Sequence, residues 1–282
     1  MTLFGQVEKV ALQSKKLLTA PEIVVKPEKK LTASLSIVYP NLSRGILLNS
    51  DKISFQPNIS YQLNDKWSFG VWISTNLSSS ATAYNEYDWS VSYQVTPQIS
   101  VVLSDYYNPA TLKNSQVYGG YRTPYFDYSI YSAQSVEVSF LYDSTNKKYP
   151  FDFQWNTIIY GDDFKDVEKN SSGEVISKER AYSSYSEIGY TYTNFKTRIN
   201  LRPFVGAAVI NNSGYYGFDK TGKTGFAFIN VGLNVSRNLK FIKNYTIPVF
   251  IRYTYNQNGN LNRDRTQTVH NFISGGITFN LY

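Results

Sequence analysis

From Leu31 to its end the chain keeps returning to a two-residue rhythm. Leu31, Ala33, Leu35, Ile37 and Tyr39 alternate with Thr32, Ser34 and Ser36, and Ile53, Phe55, Pro57, Ile59 and Tyr61 alternate with Ser54, Gln56, Asn58 and Ser60. Tyr87, Trp89, Val91, Tyr93 and Val95 do the same with Asp88, Ser90, Ser92 and Gln94. Successive side chains of an extended backbone point to opposite sides, so each run is a strand with one apolar and one polar face. Further runs lie at 67–73, 99–103, 136–142, 151–159, 188–192, 199–209, 229–235, 247–255 and 273–281. The sum is about twelve strands, and no stretch approaches the roughly 18 to 20 apolar residues of a membrane helix.

The connections alternate as well. Short turns are expected at Asn64 to Lys66, Thr96 to Gln98, Asn146 with Lys147 and Asn194 with Phe195, and the links between them are long, as at 108–133 and 161–183. A three-residue turn keeps the apolar parity and a two-residue turn switches it. Leu63 therefore meets Trp67, Val95 meets Ile99, and even-numbered Ile188 is expected opposite Leu201.

Alternation alone does not say whether the apolar face covers a core or meets lipid. Strand length decides first: 9 to 11 residues at about 3.3 Å each, tilted by about 45°, span roughly 23 Å, the height of the apolar band of an outer-membrane barrel. Charge placement decides next. Asp88, Glu137, Asp152, Glu187, Arg198, Arg202 and Arg252 all share the polar parity, where none incurs the roughly 2–4 kcal/mol of a charge on the lipid face. Tyr61, Trp67, Tyr93 and Tyr192 near the short turns, and Tyr39, Tyr87, Tyr107 and Tyr255 near the long loops, supply two aromatic girdles. Backbone groups in hydrocarbon need internal partners, so the sheet must close. The expected fold is all-β: a transmembrane antiparallel up-and-down β-barrel of about twelve strands, residues 31–282, with both termini periplasmic and with outer-membrane lipid as its surroundings.

Composition removes most other chemistry. The 282 residues hold no Cys, one His and one Met, which excludes thiol catalysis, disulfides and Cys/His zinc sites. The net charge of +7 is spread over turns and isolated strand positions, so nucleic acid is not the expected partner. Residues 1–30 carry Lys9, Lys15, Lys16, Lys26, Lys29 and Lys30 with Pro21 and Pro27, and form a separate segment, either a periplasmic extension or a lumen plug. Residues 1–5 are readable as the remnant of a signal.

A string of short motifs narrows the reading. "YPNLSRGILL" follows the first strand, "SFGVWISTNL", "YNEYDWSVSYQ" and "VVLSDYYNP" come next, and "FDFQWNTIIYGDD" precedes "YSSYSEIGYTY". In that order they resemble an uncharacterised family of Gram-negative outer-membrane proteins, the Gcw or TorF-like proteins, over most of residues 31–282. The family's aromatic-Trp-Arg-Gly stands here as Leu42, Ser43, Arg44 and Gly45, without the Trp, and its Gly-Cys/Ala-Trp as Gly70, Val71 and Trp72. Tyr282 is out of phase with Leu281 and Phe279, unlike the usual C-terminal pattern of such barrels. The resemblance implies a barrel in the outer membrane of a Gram-negative bacterium and supplies neither substrate nor catalytic residues.

The expected interior is Ser, Asn and Gln with a minority of charges. Glu187 and Arg202 are expected directly opposite across the turn, and Trp72, Tyr160, Phe204, Phe228 and Phe250 narrow the lumen further. Twelve strands lie between the filled eight-stranded barrels and the open ones of 16 to 18. The expected function is a narrow passive channel for small polar solutes, with Arg198, Arg202, Arg252, Glu137, Glu187, Asp88 and Asp152 lining or closing it. The alternative is a non-transporting barrel that serves as a subunit of a larger envelope complex. His270 could act as a base, but it points inward and no Gly-x-Ser-x-Gly elbow accompanies it, so no enzyme, cofactor or metal is expected. Asp162, Asp163, Asp166 and Glu168 lack calcium-loop spacing, and Asn170 to Gly173 is read as a hairpin turn above the membrane. Tyr118, Tyr121, Tyr125 and Tyr128 could form a stacking surface or pack a folded-in loop.

Overall fold

The computed structural model describes residues 30–49, 52–77, 84–109, 124–144, 149–216, 225–242, 245–261 and 268–281. Nearly all of residues 1–30, Tyr118, Tyr121 and the Asn146–Lys147 turn lie outside the described residues. The strands are β1 (Leu31–Tyr39), β2 (Asn41–Ser43), β3 (Ile46–Asn49), β4 (Ser54–Gln62), β5 (Trp67–Thr75), β6 (Asn85–Gln94), β7 (Ile99–Tyr107), β8 (Gln134–Asp143) and β9 (Phe151–Gly161). They continue as β10 (Phe164–Lys169), β11 (Val175–Arg180), β12 (Ser184–Tyr190), β13 (Tyr192–Asn194), β14 (Ile199–Ile210), β15 (Ile229–Ile242), β16 (Tyr245–Leu261) and β17 (Thr268–Asn280).

Pairing runs β1–β4–β5–β6–β7–β8–β9–β12–β14–β15–β16–β17 and returns to β1, every pair described being antiparallel, with the short β13 continuing the β12 ladder along β14. The circuit is closed by Leu35 opposite Phe279 and Ile37 opposite Ile277. This is an all-β, closed twelve-stranded antiparallel barrel. Closure leaves no open sheet edge, which is what a hydrocarbon surrounding demands. Two hairpins stand apart from the wall, β2–β3 and β10–β11.

Local chemistry fixes the register at the turns. Asn64 Oδ1 accepts from the amides of Lys66 and Trp67 at 2.9 and 3.0 Å, and Thr96 Oγ1 accepts from those of Gln98 and Ile99 at 3.3 and 3.1 Å. A side-chain oxygen at the first turn position thus replaces the ladder where the chain reverses. Asn194 does the same for Lys196 and Thr197 at 3.0 and 3.1 Å, but its turn is longer than the sequence suggested. The ladder ends at Asn194 opposite Ile199, so Phe195 to Arg198 form a four-residue loop in which Arg198 adopts a φ of 57°. Ile188 consequently faces Val205 and not Leu201, and Glu187 lies opposite Gly206 and not opposite Arg202.

The two faces separate as the pattern requires. On the outer parity Ile59 is 53 % exposed, Phe69 46 %, Val205 44 %, Ile251 63 % and Ile273 71 %. On the inner parity Gln56, Ser74, Asp88, Ser104, Ser139, Asn156 and Asn230 are buried. An apolar belt encircling a closed sheet is costly in water and favourable in acyl chains, so this wall spans a membrane. The Trp67 and Tyr93 rings meet at 4.7 Å, tilted by 46°, near the short turns, and Tyr87 lies 6.3 Å from Tyr107 near the loops. Tyr61, Tyr192 and Tyr39 also stand on the outer side near strand ends, and Tyr255 stands on the outer side of β16 where its register with β17 shifts.

Two strand charges depart from the outer pattern: Arg237 stands exposed on the lipid-side parity of β15, opposite Val249, and Asp105 is the other. Asp105 occupies the lipid-side parity of β7, between Leu103 and Tyr107, and is fully buried because residues 124–134 fold down over it. Tyr128 Oη and Gln134 Nε2 each donate to its carboxylate at 2.6 Å. The Tyr125 ring packs on Tyr107 at 4.7 Å and overhangs a cleft of about 300 Å³ lined by Phe69, Val71, Ile73, Tyr87 and Trp89. Tyr125 and Tyr128 therefore pack a folded loop, and they pack it against the outside of the barrel.

Candidate functional site: the barrel lumen

The lumen is crossed from within by a segment that reads as a simple link. Residues 41–49 fold back as the β2–β3 hairpin, whose tip is Arg44 and Gly45, with φ of 49° and 78°. Asn and Gly are the residues that tolerate such turns best, so Gly45 has a clear backbone reason, and Arg44 is held there by its side-chain contacts. Arg44 Nη1 and Nη2 donate to Glu137 Oε2 and Oε1 at 2.6 and 2.7 Å, a bidentate pair with both side chains buried. Tyr106 Oη and Ser139 Oγ donate to the same carboxylate at 2.9 and 3.0 Å. Glu137 is thereby fully satisfied, as a buried charge must be.

The hairpin also meets the far wall. Asn256 Nδ2 donates to the Gly45 carbonyl at 2.8 Å, and a Cβ on Gly45 would come within 2.9 Å of Asn230. At its base Asn41 Nδ2 donates to Ser74 Oγ and Gln56 Nε2 donates to Asn41 Oδ1, both at 3.2 Å. Its apolar side chains Ile46 and Leu48 join Tyr84, Ile158, Tyr185, Ala208, Tyr215, Tyr216, Ala227 and Phe228 in one buried cluster. The loop residue Tyr215 is tied to the β8 wall through Ser135 Oγ at 2.7 Å. An apolar cap thus fills part of the lumen at the loop end.

A second network lies nearer the short turns. Arg202 Nε donates to both Asp152 oxygens at 3.0 and 2.8 Å, and its Nη2 donates to Asp152 and, at 2.9 Å, to Glu187. Tyr185 Oη reaches Glu187 Oε2 at 2.8 Å and Asn230 Oδ1 at 3.0 Å. The Glu187–Arg202 pair is present, but it forms diagonally and shares the guanidinium with Asp152. Arg202 and Arg252 flank the Phe204 ring at 5.4 and 5.2 Å, and Arg252 Nε is buried without a hydrogen-bond partner. Gly189 lets the Arg202 guanidinium lie against the wall, where an added Cβ would sit 2.4 Å from it.

The remaining positions are placed as follows. Asp88 is buried on the inner face of β6, between Trp72 on β5 and Tyr106 on β7 in the same register row. Gly70 faces Ser90, whose Oγ would lie 3.0 Å from an added Cβ. Arg198 stands exposed in the turn and does not reach the lumen, a consequence of the longer loop. Tyr160 is turned outward and 52 % exposed, because the β8–β9 ladder shifts between Val136 and Glu137, and its ring packs on Tyr128 at 5.1 Å. His270 Nδ1 lies 3.0 Å from the Asn256 carbonyl and its ring stacks on Tyr255 at 6.1 Å.

Above the wall, β10 and β11 form the hairpin expected around Asn170 to Gly173. Asp163 is buried and accepts from Ser183 N, Ser183 Oγ and Ser213 Oγ at 2.8, 2.7 and 2.5 Å, which makes it a tie between loops. Asp162 accepts from the Tyr131 amide at 2.7 Å, and burial raises its carboxyl above the ordinary aspartate range.

No protein-family model matches the sequence, and no curated protein matches it. Among solved structures the chain is similar to the NanC porin, with a TM-score of 0.44 and 11% identity over 87% of this chain and 97% of that one. It is also similar to LpxR from Salmonella typhimurium, with a TM-score of 0.43 and 9% identity over 88% and 99% of the two chains. A Pseudomonas aeruginosa FadL homologue follows with a TM-score of 0.39 and 8% identity over 89% and 90%.

Proposed function

We propose that this barrel is a narrow passive channel for small polar solutes in the outer membrane of a Gram-negative bacterium. One observation carries the reading. The closed wall turns polar side chains inward, Gln56, Ser74, Ser104, Ser139, Asn156 and Asn230 among them, and the inner Arg202, Asp152 and Glu187 side chains keep 14 %, 10 % and 9 % exposure. Polar groups turned inward by a lipid-spanning wall favour water over hydrocarbon as the content of the lumen. A wet lumen through a lipid-spanning wall is a route for polar solutes, and the β2–β3 hairpin, joined to the wall by the Arg44–Glu137 pair, crosses it.

A second reading has its own observation. The apolar cap built from Ile46, Leu48, Tyr215, Tyr216 and Phe228 is what a closed barrel would have, and it fits a non-transporting subunit of an envelope complex. Membership of the Gcw or TorF-like family, proposed from the motifs, is compatible with both. Planar-bilayer recording separates them: the channel reading expects steps of conductance from the full chain, larger when residues 41–49 are replaced by a short Gly-Ser link. Conductance from the shortened variant alone would establish the plugged barrel instead.

A further inference from the structure

Two cations sit on the outer rim of the barrel where the wall gives way to the loops. Tyr160 leaves the β9 wall on the lipid side, opposite Val136, which in turn lies opposite Asp105, two residues along β7 from the Tyr107 girdle. Arg180 of β11 stands over the Tyr160 ring at 5.5 Å and over the Phe164 ring at 4.1 Å, and its Nη1 donates to the Gly161 carbonyl at the end of β9. Lys178 shares the alternation of Arg180 along β11 and stands over the same Phe164 ring at 4.2 Å. A guanidinium and an ammonium are thus gathered on one aromatic ring, next to the lipid-facing wall.

The neighbouring carboxylates are committed elsewhere. Lys165 takes Glu179 at 3.0 Å and Asp166 at 3.6 Å, and Glu174 accepts from Asn170 Nδ2 at 2.7 Å. Glu168 stands opposite Ser177, which alternates away from Lys178. Asp162 feels the charge of Arg180 but takes its hydrogen bond from the Tyr131 amide, and Asp163 is tied to Ser183 and Ser213. Among the described residues neither Lys178 nor Arg180 forms an ion pair. Two like charges gathered on one ring repel each other, and an anion between them reverses the sign of that interaction. The membrane supplies the anion: beneath this rim the wall faces acyl chains, so the groups that reach it from below are lipid head groups. A phosphate has oxygens enough to meet the remaining N–H fork of Arg180 and the Lys178 ammonium together.

We infer that Phe164, Lys178 and Arg180 form a site for the phosphate head group of a lipid in the leaflet at the loop end, with the Tyr160 ring beneath it against the start of the acyl chains. The site lies outside the lumen and holds whether the barrel conducts or is plugged. The test is native mass spectrometry of the full chain in detergent micelles, titrated with diphosphorylated lipid A and, separately, with lipid A stripped of its phosphates. The expected result is tighter binding of the phosphorylated form, weakened about fivefold by Lys178→Gln or by Arg180→Gln and further by the two together. Lys240→Gln, at the short-turn end of the wall, should leave it unchanged, and inorganic phosphate at matched ionic strength should not displace the lipid. Lys178→Gln decides the matter alone if Arg180→Gln fails to fold, since Arg180 also holds the Gly161 carbonyl. Equal binding of the two lipids, or unchanged binding in the variants, overturns the site. Displacement by inorganic phosphate overturns its assignment to a lipid.

Discussion

Single glycines decide how the inner wall fills. A Cβ on Gly232 would lie 2.5 Å from the Phe204 ring, one on Gly276 would lie 2.6 Å from Phe250, and one on Gly206 would fall within 2.1 Å of Tyr185 Oη. Each aromatic ring lies over a glycine on a neighbouring strand, so the missing side chain is what lets the ring lie against the wall. Gly232→Ala should therefore destabilise the folded barrel by about 1–3 kcal/mol, seen as a lower urea midpoint in detergent micelles. Arg44 offers a larger effect. Removing it leaves Glu137 buried and unpaired, so Arg44→Ala should cost about 3–5 kcal/mol by the same measurement, and Arg44→Leu with Glu137→Leu together should recover much of that. A double variant no more stable than Arg44→Ala would show that the pair does not act as a unit.

At the scale of elements, the strands were legible and the departures have physical causes. Alternation found all twelve wall strands, and the Asn64 and Thr96 turns have the length that parity required. Parity fails to distinguish a two-residue turn from one of four residues, and that is why Arg198 was expected in the lumen although it stands in a turn. The β2–β3 hairpin was readable only in part. Leu42, Ile46 and Leu48 share one parity around Arg44 and Gly45, but nothing local says that this face turns into the barrel. Asp105 was missed because its strand extends four pairs beyond Leu103 and because the loop that shields it is distant in sequence. The loop depends on that carboxylate. Asp105→Ala should leave Tyr128 and Gln134 without their acceptor and expose residues 124–134 to limited proteolysis in the folded protein, with the barrel fragments staying associated. Unchanged protease resistance would mean that the aromatic contacts hold the loop by themselves.

For the whole molecule, everything depends on the sheet having lipid outside and water within. The four tryptophans report on it, since Trp67 and Trp155 are exposed on the outer wall, Trp89 shares their parity beneath Tyr125, and Trp72 is buried facing the lumen. Single-tryptophan variants refolded into vesicles of lipids brominated along their acyl chains measure the orientation directly. Trp155 emission should be strongly quenched and Trp72 emission nearly untouched. Equal quenching of Trp72 and Trp155, or none at either, would contradict a barrel that turns its apolar face to the membrane.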